Sequence, residues 1–445
     1  MTAADIVLDR NPLDAWASQR AGIALKDCTR ETIADYQLRA IRQTVAWVRD
    51  QSSFYAARLA AFPAGWPGSL EEFAHAPLTS PADIADRAPE FLCVPQSEIS
   101  RVVTLESSGT TGARKRIFFS AEDQDQTLDF FAHGVASMGA EGDRMFIALP
   151  GEREGSVGFQ LARAVARAGI VPVPHGLITD PLEALRRMDE ERATLAIGLP
   201  TQMLAVALQA GDLARRAFRY MHTIVLCSDH VPQSLVDRIA QATGCELFEH
   251  YGSTEMGLGG GVDCRVRAGY HLREADLFFE IVSPQTGEPL PHGHIGEVVF
   301  TTLGRRGMPL LRYRTGDLSR ILPDPCPCGS PLRRLARIEN RVDSTIALGP
   351  HGSITIAALD EALFAIAGVH DFTAALIGGT PNALHLNVCA PRARKSIVTE
   401  VKRALMHLPA IAANCDAALL RLVLSRQTEF FPVTGAKRAI RVQIP

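Results

Sequence analysis

Residues Ser107-Ser108-Gly109-Thr110-Thr111-Gly112 put four hydroxyls and two glycines into six positions. Glycine opens backbone conformations closed to other residues, and bare N–H groups with hydroxyls are donors suited to phosphate oxygens. Arg114, Lys115 and Arg116 follow at once and add positive charge. The GxxxxGK[ST] spacing of P-loop NTPases is absent. A plain Ser/Thr/Gly turn is the other reading of these residues. A second cluster is His250-Tyr251-Gly252-Ser253-Thr254-Glu255, followed by Gly257, Gly259, Gly260 and Gly261. An aromatic beside glycine can lie flat on a planar base. Thr254 and Glu255 can hold a phosphate oxygen and Mg²⁺, which prefers carboxylate plus substrate phosphate. A buried tyrosine in a glycine-rich turn is the alternative. In Tyr313-Arg314-Thr315-Gly316-Asp317, the carboxylate can accept from two ribose hydroxyls or close an Asx-turn. Finally, Cys326 and Cys328 form a C-x-C knuckle, and Cys264 and His271 flank the turn after the second cluster. Three cysteines and a histidine make a four-ligand structural Zn²⁺ set, or else free thiols in a tight turn.

Such groups need a rigid scaffold. Residues 30–60 carry Ile33, Tyr36, Gln37, Ala40, Ile41, Val45 and Val48 at the 3.6 period of a helix. From residue 145, strand-like runs (145–149, 170–174, 195–199, 223–228) alternate with helical ones (158–169, 181–191, 200–209, 233–244). That alternation predicts a mainly parallel sheet covered by helices. After residue 269 short alternating strands take over (277–283, 296–303), with turn signals between them, which predicts a β-rich subdomain. From 354 the pattern alternates again, as a small α+β domain would. Residues 344–445 hold ten Lys/Arg against six Asp/Glu, whereas the whole chain has 46 against 49. The change of sign marks a boundary near residue 343. The expected class is α/β: a large N-terminal domain, 1–343, of mixed, largely parallel sheets, and a small mobile C-terminal domain, 344–445.

Composition narrows the function. A net charge of −3 over 445 residues does not suit a protein that lives on nucleic-acid phosphates or anionic membrane. No stretch has the apolar length of a membrane span, and the N-terminus lacks a secretory pattern. Nine cysteines without an even ladder of spacings do not read as a disulfide framework. A cytoplasmic protein is expected, with no nucleic-acid or membrane partner.

Taken together and in this order, the clusters resemble the adenylate-forming superfamily, and within it the phenylacetate–CoA ligase family. The resemblance runs nearly end to end: Ser53-Phe54-Tyr55, the 107–112 loop, Tyr251 to Glu255, residues 280–288, 296–303 and 308–318, the Cys326–Cys328 knuckle, and residues 337–343. It implies an ATP-dependent ligase that joins a carboxylate to AMP and then to the thiol of coenzyme A, releasing pyrophosphate and AMP. The acid would be a small aryl or short acyl carboxylate, and a homodimer is compatible with the resemblance. Relatives such as coenzyme F390 synthetase leave open a nucleotidyl transfer without CoA, and a degenerate nucleotide-binding member is a third reading. By resemblance, Ser107 to Gly112 hold the β- and γ-phosphates and Tyr251, beside Gly252 and Ser253, stacks on adenine. Thr254 meets the α-phosphate, Glu255 binds Mg²⁺ and Asp317 binds the ribose. Arg341 approaches the phosphates, and Asp343 is the hinge about which the small domain turns.

Three departures from the family pattern matter. The glycine before the hinge Arg-x-Asp is Asn340, which keeps tolerance of a left-handed backbone but not the small size. The Gly-Ala-Glu-Pro segment beside the nucleotide reads Cys227-Ser228-Asp229-His230, making Ser228 and Asp229 the nucleotide-side candidates and altering the acid pocket. The C-terminal motif reads Thr434-Gly435-Ala436-Lys437-Arg438-Ala439-Ile440-Arg441. Aligned on its glycine, Lys437 is the catalytic lysine; aligned on Arg441, Arg438 takes that place. Phe130, Phe131, His133 and Gly134 are candidates for the acid pocket or for ordinary core.

Overall fold

The computed structural model describes residues 11–106, 114–391, 396–429 and 438–443. They fall into two compact units: one from residues 1–142, 153–170 and 250–338, the other from 143–152, 171–249 and 339–445. The units therefore do not meet at a single cut. The second begins its last stretch at Glu339, close to the change of charge, but also takes in most of the parallel strands.

In the first unit, the helical period over 30–60 becomes helix Arg30–Gln51 followed by Ser53–Arg58. Thr29 and Thr32 cap its start reciprocally, and Ile33, Ile41, Val45 and Val48 are buried. Strand Ile99–Glu106 pairs antiparallel with Arg114–Ser120, and Glu106 opposes Arg114 across the ends of the pair. The Ser107 to Gly112 loop lies outside the described residues. Ser120 then caps helix Ala121–Val135, its hydroxyl accepting from the Asp123 N–H while Asp123 reaches back to the Ser120 N–H. The β-rich texture after 269 is an antiparallel set, Leu277–Val282, Gly296–Thr302 and Tyr313–Ser319. Its strands are apolar enough to pack on Phe54, Phe73 and Phe91 in one core. The last strand alternates as a half-buried strand should, with Tyr313, Thr315, Asp317 and Ser319 on the buried side. Its register slips against Gly296–Thr302 between Glu297 and Val299, with Gly316 at φ 77°. A bulge of this kind re-aims a side chain.

In the second unit, five parallel strands lie in the order Val171–Pro174, Arg144–Ala148, Leu195–Gly198, Thr223–Leu226 and Glu246–Tyr251. The central strands Leu195–Gly198 and Thr223–Leu226 are buried throughout because a parallel sheet is covered on both sides, whereas Val171–Pro174 at the edge is largely exposed. The C-terminal stretch forms a second sheet, in the order Leu420–Gln427, Asn382–Cys389, Asp371–Ile377 and Ile440–Gln443. Only its central pair is antiparallel. Helix Ile356–Phe364 contributes Leu359, Leu363 and Phe364 to a core shared with Leu235 and Ile239 of helix Gln233–Thr243.

Candidate active site

The end of strand Glu246–Tyr251 and the turn behind it carry the second sequence cluster. A Cβ on Gly252 would lie 2.2 Å from the Leu258 carbonyl oxygen, so only glycine lets the turn fold back this tightly. The turn closes through the Leu258 N–H to the Ser253 carbonyl (2.8 Å) and the Gly257 N–H to the Thr254 carbonyl (3.0 Å). Ser253 and Thr254 are left half-buried and Glu255 buried.

Two contacts join this turn to strand Tyr313–Ser319. The Tyr251 hydroxyl donates to Asp317 Oδ2 at 3.0 Å, and its ring stacks on Tyr270 with centroids 5.9 Å apart. The Tyr313 hydroxyl donates to Glu255 Oε1 at 3.0 Å. Lys115, on strand Arg114–Ser120, reaches the same oxygen at 2.6 Å. Burial pushes the Glu255 carboxyl up, but the Lys115 ammonium and the Tyr313 hydroxyl outweigh it, so the group sits below the ordinary carboxylate range. Glu255 is therefore an anion at neutral pH. Both hydrogen bonds land on Oε1, and a buried carboxylate with this charge suits Mg²⁺. The backbone under it is held by Arg305, whose Nη1 donates to the Glu255 carbonyl at 2.7 Å.

Thus Tyr251 and Glu255, from one short motif, are brought together with Asp317, 66 residues beyond Tyr251. The charge of Lys115 was legible in the sequence, but its pairing with Glu255, 140 residues on, was not. Tyr313 stood in the third cluster but with no role of its own there, and Arg305 had no signal at all. Of the acid-pocket candidates, Phe130 is buried edge-on to Trp16 (5.5 Å), and Phe131 lies edge-on to His250 (5.7 Å). His133 instead turns back to the Asp129 carbonyl at 2.9 Å. Gly134 has only Val262 Cγ1 near its missing Cβ, at 3.8 Å.

The remaining candidates lie in the second unit. Arg341 is half-buried, its N–H donating to Ser344 Oγ at 3.1 Å, and Asp343 is exposed. Ser228 takes φ 72° and its hydroxyl meets Cys227 Sγ at 3.6 Å. Asp229 accepts from its neighbour His230 N–H (2.9 Å) and from the Arg438 N–H (3.2 Å). Lys437 lies outside the described residues. Arg438 does not: its Nη2 is 3.0 Å from Asp360 Oδ1, its Nη1 bonds Asp371 Oδ1, and its guanidinium sits 4.5 Å from the Phe372 ring centre. One cation faces three carboxylates here, so full ionisation would leave excess negative charge in a buried place. Burial, helped by the charges of Asp229 and Asp371, pushes Asp360 up to about 7 against the pull of Arg438. An unfolded aspartate titrates near about 3.9, so between about pH 4 and 7 the native state binds more protons and stability falls as pH rises. Chemical denaturation at a series of pH values should show Asp360→Asn gaining on the parent chain as pH rises through that window.

The cysteine and histidine candidates also meet. Cys264, His271, Cys326 and Cys328 are all buried, and their ligand atoms lie within 4.8 Å of one another. Cys264 Sγ is 3.8 Å from Cys326 Sγ, and Cys328 Sγ is 3.3 Å from His271 Nε2. A tetrahedral ion with Zn–S bonds of about 2.3 Å has S···S edges of about 3.8 Å, so the donor set and spacing fit zinc. Among the described residues no helix is long and apolar enough to cross a membrane.

The family described as AMP-binding enzyme matches residues 82–304, half of the chain. Phenylacetate-coenzyme A ligase of Thermus thermophilus is 29% identical over 333 residues, covering 73% of this chain and 74% of that protein. Its counterpart in Pseudomonas putida is 28% identical over 331 residues, covering 72% of each. Among solved structures, 2-hydroxyisobutyryl-CoA ligase bound to 2-HIB-AMP superposes with a TM-score of 0.77 at 19% identity, over 93% of this chain and 89% of that one. That likeness confirms the α/β fold. The chain belongs to the AMP-binding enzymes, in their adenylate-forming phenylacetate–CoA ligase family.

Proposed function

We propose that this chain is an AMP-forming acid–CoA ligase whose nucleotide site is built on Tyr251, Glu255 and Asp317. The observation that carries the site is the pair of hydrogen bonds tying the glycine turn to strand Tyr313–Ser319. The aromatic assigned to the base and the carboxylate assigned to the ribose are joined by one 3.0 Å hydrogen bond, the closeness that one nucleoside demands. Attack of a carboxylate on the α-phosphate joins two anions, so positioning and charge neutralisation do the catalysis and no protein nucleophile is required. Glu255 would hold Mg²⁺, which when bound offsets phosphate charge. Ser107 to Gly112, Thr254 and Arg341 complete the phosphate contacts, with Gly252 and Ser253 beside the base and Asp343 at the hinge. In this reading residues 1–343 bind ATP and the acid, while 344–445 form the small lid that brings Lys437. Phe131, His250 and Gly134 support an acid pocket for a small aryl or acyl group. A cytoplasmic location and a homodimer belong to the same reading.

Acid-dependent ATP–pyrophosphate exchange, run over a panel of aryl and short-chain acids, tests it. Thioester should appear when CoA is added to the acid that exchanges. No exchange with any acid, while ATP still binds, would sink the ligase reading. Tyr251→Phe should then raise KM for ATP roughly tenfold with kcat little changed, because a hydrogen bond to a charged partner is worth about 1.5–3 kcal/mol and Asp317 loses its orientation.

We also propose that Cys264, His271, Cys326 and Cys328 hold a structural zinc ion. Four protein ligands leave no open position, so the ion would brace the fold and take no part in the reaction.

A further inference from the structure

We infer that Asp229 is a latch for the C-terminal segment, not a nucleotide ligand, and that it acts in the adenylation half-reaction alone. This rests on the ligase reading above. Asp229 is the third residue of the segment that replaces the family's Gly-Ala-Glu-Pro. Its carboxylate is committed on both oxygens: Oδ1 accepts from the His230 N–H at 2.9 Å and Oδ2 from the Arg438 N–H at 3.2 Å. The second bond spans 209 residues and lands on the amide directly after Lys437.

Arg438 itself is pinned within the C-terminal stretch. Asp360 takes Nε at 3.2 Å and Nη2 at 3.0 Å, Asp371 takes Nη1, and Phe364 and Phe372 flank the guanidinium. A side chain so engaged is not available to a substrate phosphate, so Lys437 is the cation for adenylation and Arg438 is its anchor. Asp360 and Asp371 travel with Arg438 in any movement of residues 344–445. Asp229 does not, and its bond to the Arg438 amide must break when that stretch turns away.

The same two stretches share further polar contacts. Glu361 accepts from the Gln233 N–H (2.7 Å) and the Ser234 N–H (3.1 Å), capping helix Gln233–Thr243 from outside. Arg238 of that helix donates to the carbonyls of Phe364, Ala367 and Val369 at 2.6–3.0 Å. Residues 229–238 are thus a docking edge for residues 361–369 and 438, with Asp229 the contact beside the lysine. A positioning residue of this kind should affect only the half-reaction that needs Lys437.

Asp229→Ala removes the latch at a half-buried position and leaves Asp360 and Asp371, the carboxylates hydrogen-bonded to the Arg438 side chain, in place. Two rates are read: ATP–pyrophosphate exchange with the acid that the parent chain uses, and thioester formation from supplied acyl-adenylate and CoA. The expected result is a tenfold or greater loss of exchange with thioester formation within twofold, and faster hydrogen exchange at the Arg438 amide. Glu361→Ala should show the same split, more weakly. Exchange within twofold of the parent would overturn the latch. Equal loss of both rates would also overturn it, since a nucleotide ligand serves both steps. If the parent chain itself shows neither rate with any acid, it is the ligase reading that has failed, and the latch falls with it.

Discussion

Glu255→Gln should lower acid-dependent pyrophosphate exchange by about a hundred- to a thousandfold while leaving the fold intact. Glutamine has the size of glutamate and keeps an oxygen for the Tyr313 hydroxyl, so the packing of the turn on strand Tyr313–Ser319 should survive. What disappears is the buried negative charge that would hold Mg²⁺. Lys115→Met provides the contrast. It leaves the Glu255 carboxylate buried beside an apolar chain, and breaking a buried pair in this way costs about 3–5 kcal/mol. Thermal unfolding should therefore report a large loss for Lys115→Met and a small one for Glu255→Gln. Exchange should fall in both. If Glu255→Gln retained exchange within a few-fold, Glu255 would not be the metal-binding carboxylate, and the Lys115 pair would have a purely structural meaning.

Local pattern made most of the elements legible. Helix Gln233–Thr243 follows from apolar residues at the 3.6 period, and strand Thr223–Leu226 from a short unbroken apolar run between helical stretches. Partners distant in sequence were not legible in that way, because periodicity says which face is apolar but not what covers it. The residues 344–445 read as a separate small domain, yet Leu359 and Phe364 share a core with Leu235 and Ile239. The parallel pairing of Asn382–Cys389 with Leu420–Gln427 had no local signal either. At the site, Tyr251, Glu255 and Asp317 could be named because each stands in a short motif. Lys115 could be seen as charge but not as the partner of Glu255, a contact made only when two strands and a turn converge. Arg438 is the sharpest case. Two alignments gave it different jobs, and its engagement with Asp360 and Asp371, which neither alignment shows, supports the proposal that it is an anchor.

Removing the ion from the Cys264–His271–Cys326–Cys328 cluster should have the largest effect on stability of any change outside the nucleotide site. The hairpin Gly261–Asp263 and Tyr270–Leu272, with Arg334–Leu335 on its edge, is built from strands of two or three residues. Strands so short form few backbone hydrogen bonds, and two or three such strands are marginal without another restraint. Cys264 directly follows the hairpin's first strand, His271 lies within its second, and Cys326 and Cys328 come from the loop before Arg334–Leu335, so one ion would tie all three pieces together. Strand Gly261–Asp263 in turn pairs with His250 and Tyr251, which places the ion one strand from the proposed base-binding tyrosine. Metal analysis of the purified chain should find about one zinc per polypeptide, with thiolate ligands in its absorption spectrum. Cys328→Ser should lose the metal and lower the Tm by at least about 5 °C, the shift that a few kcal/mol brings in a unit of this size. Cys93→Ser, at a buried thiol outside the cluster, is the control for loss of packing alone. A chain that holds no zinc, and a Cys328→Ser variant that unfolds with Cys93→Ser, would mean that the four side chains are a buried thiol cluster and that the hairpin is held by its core contacts.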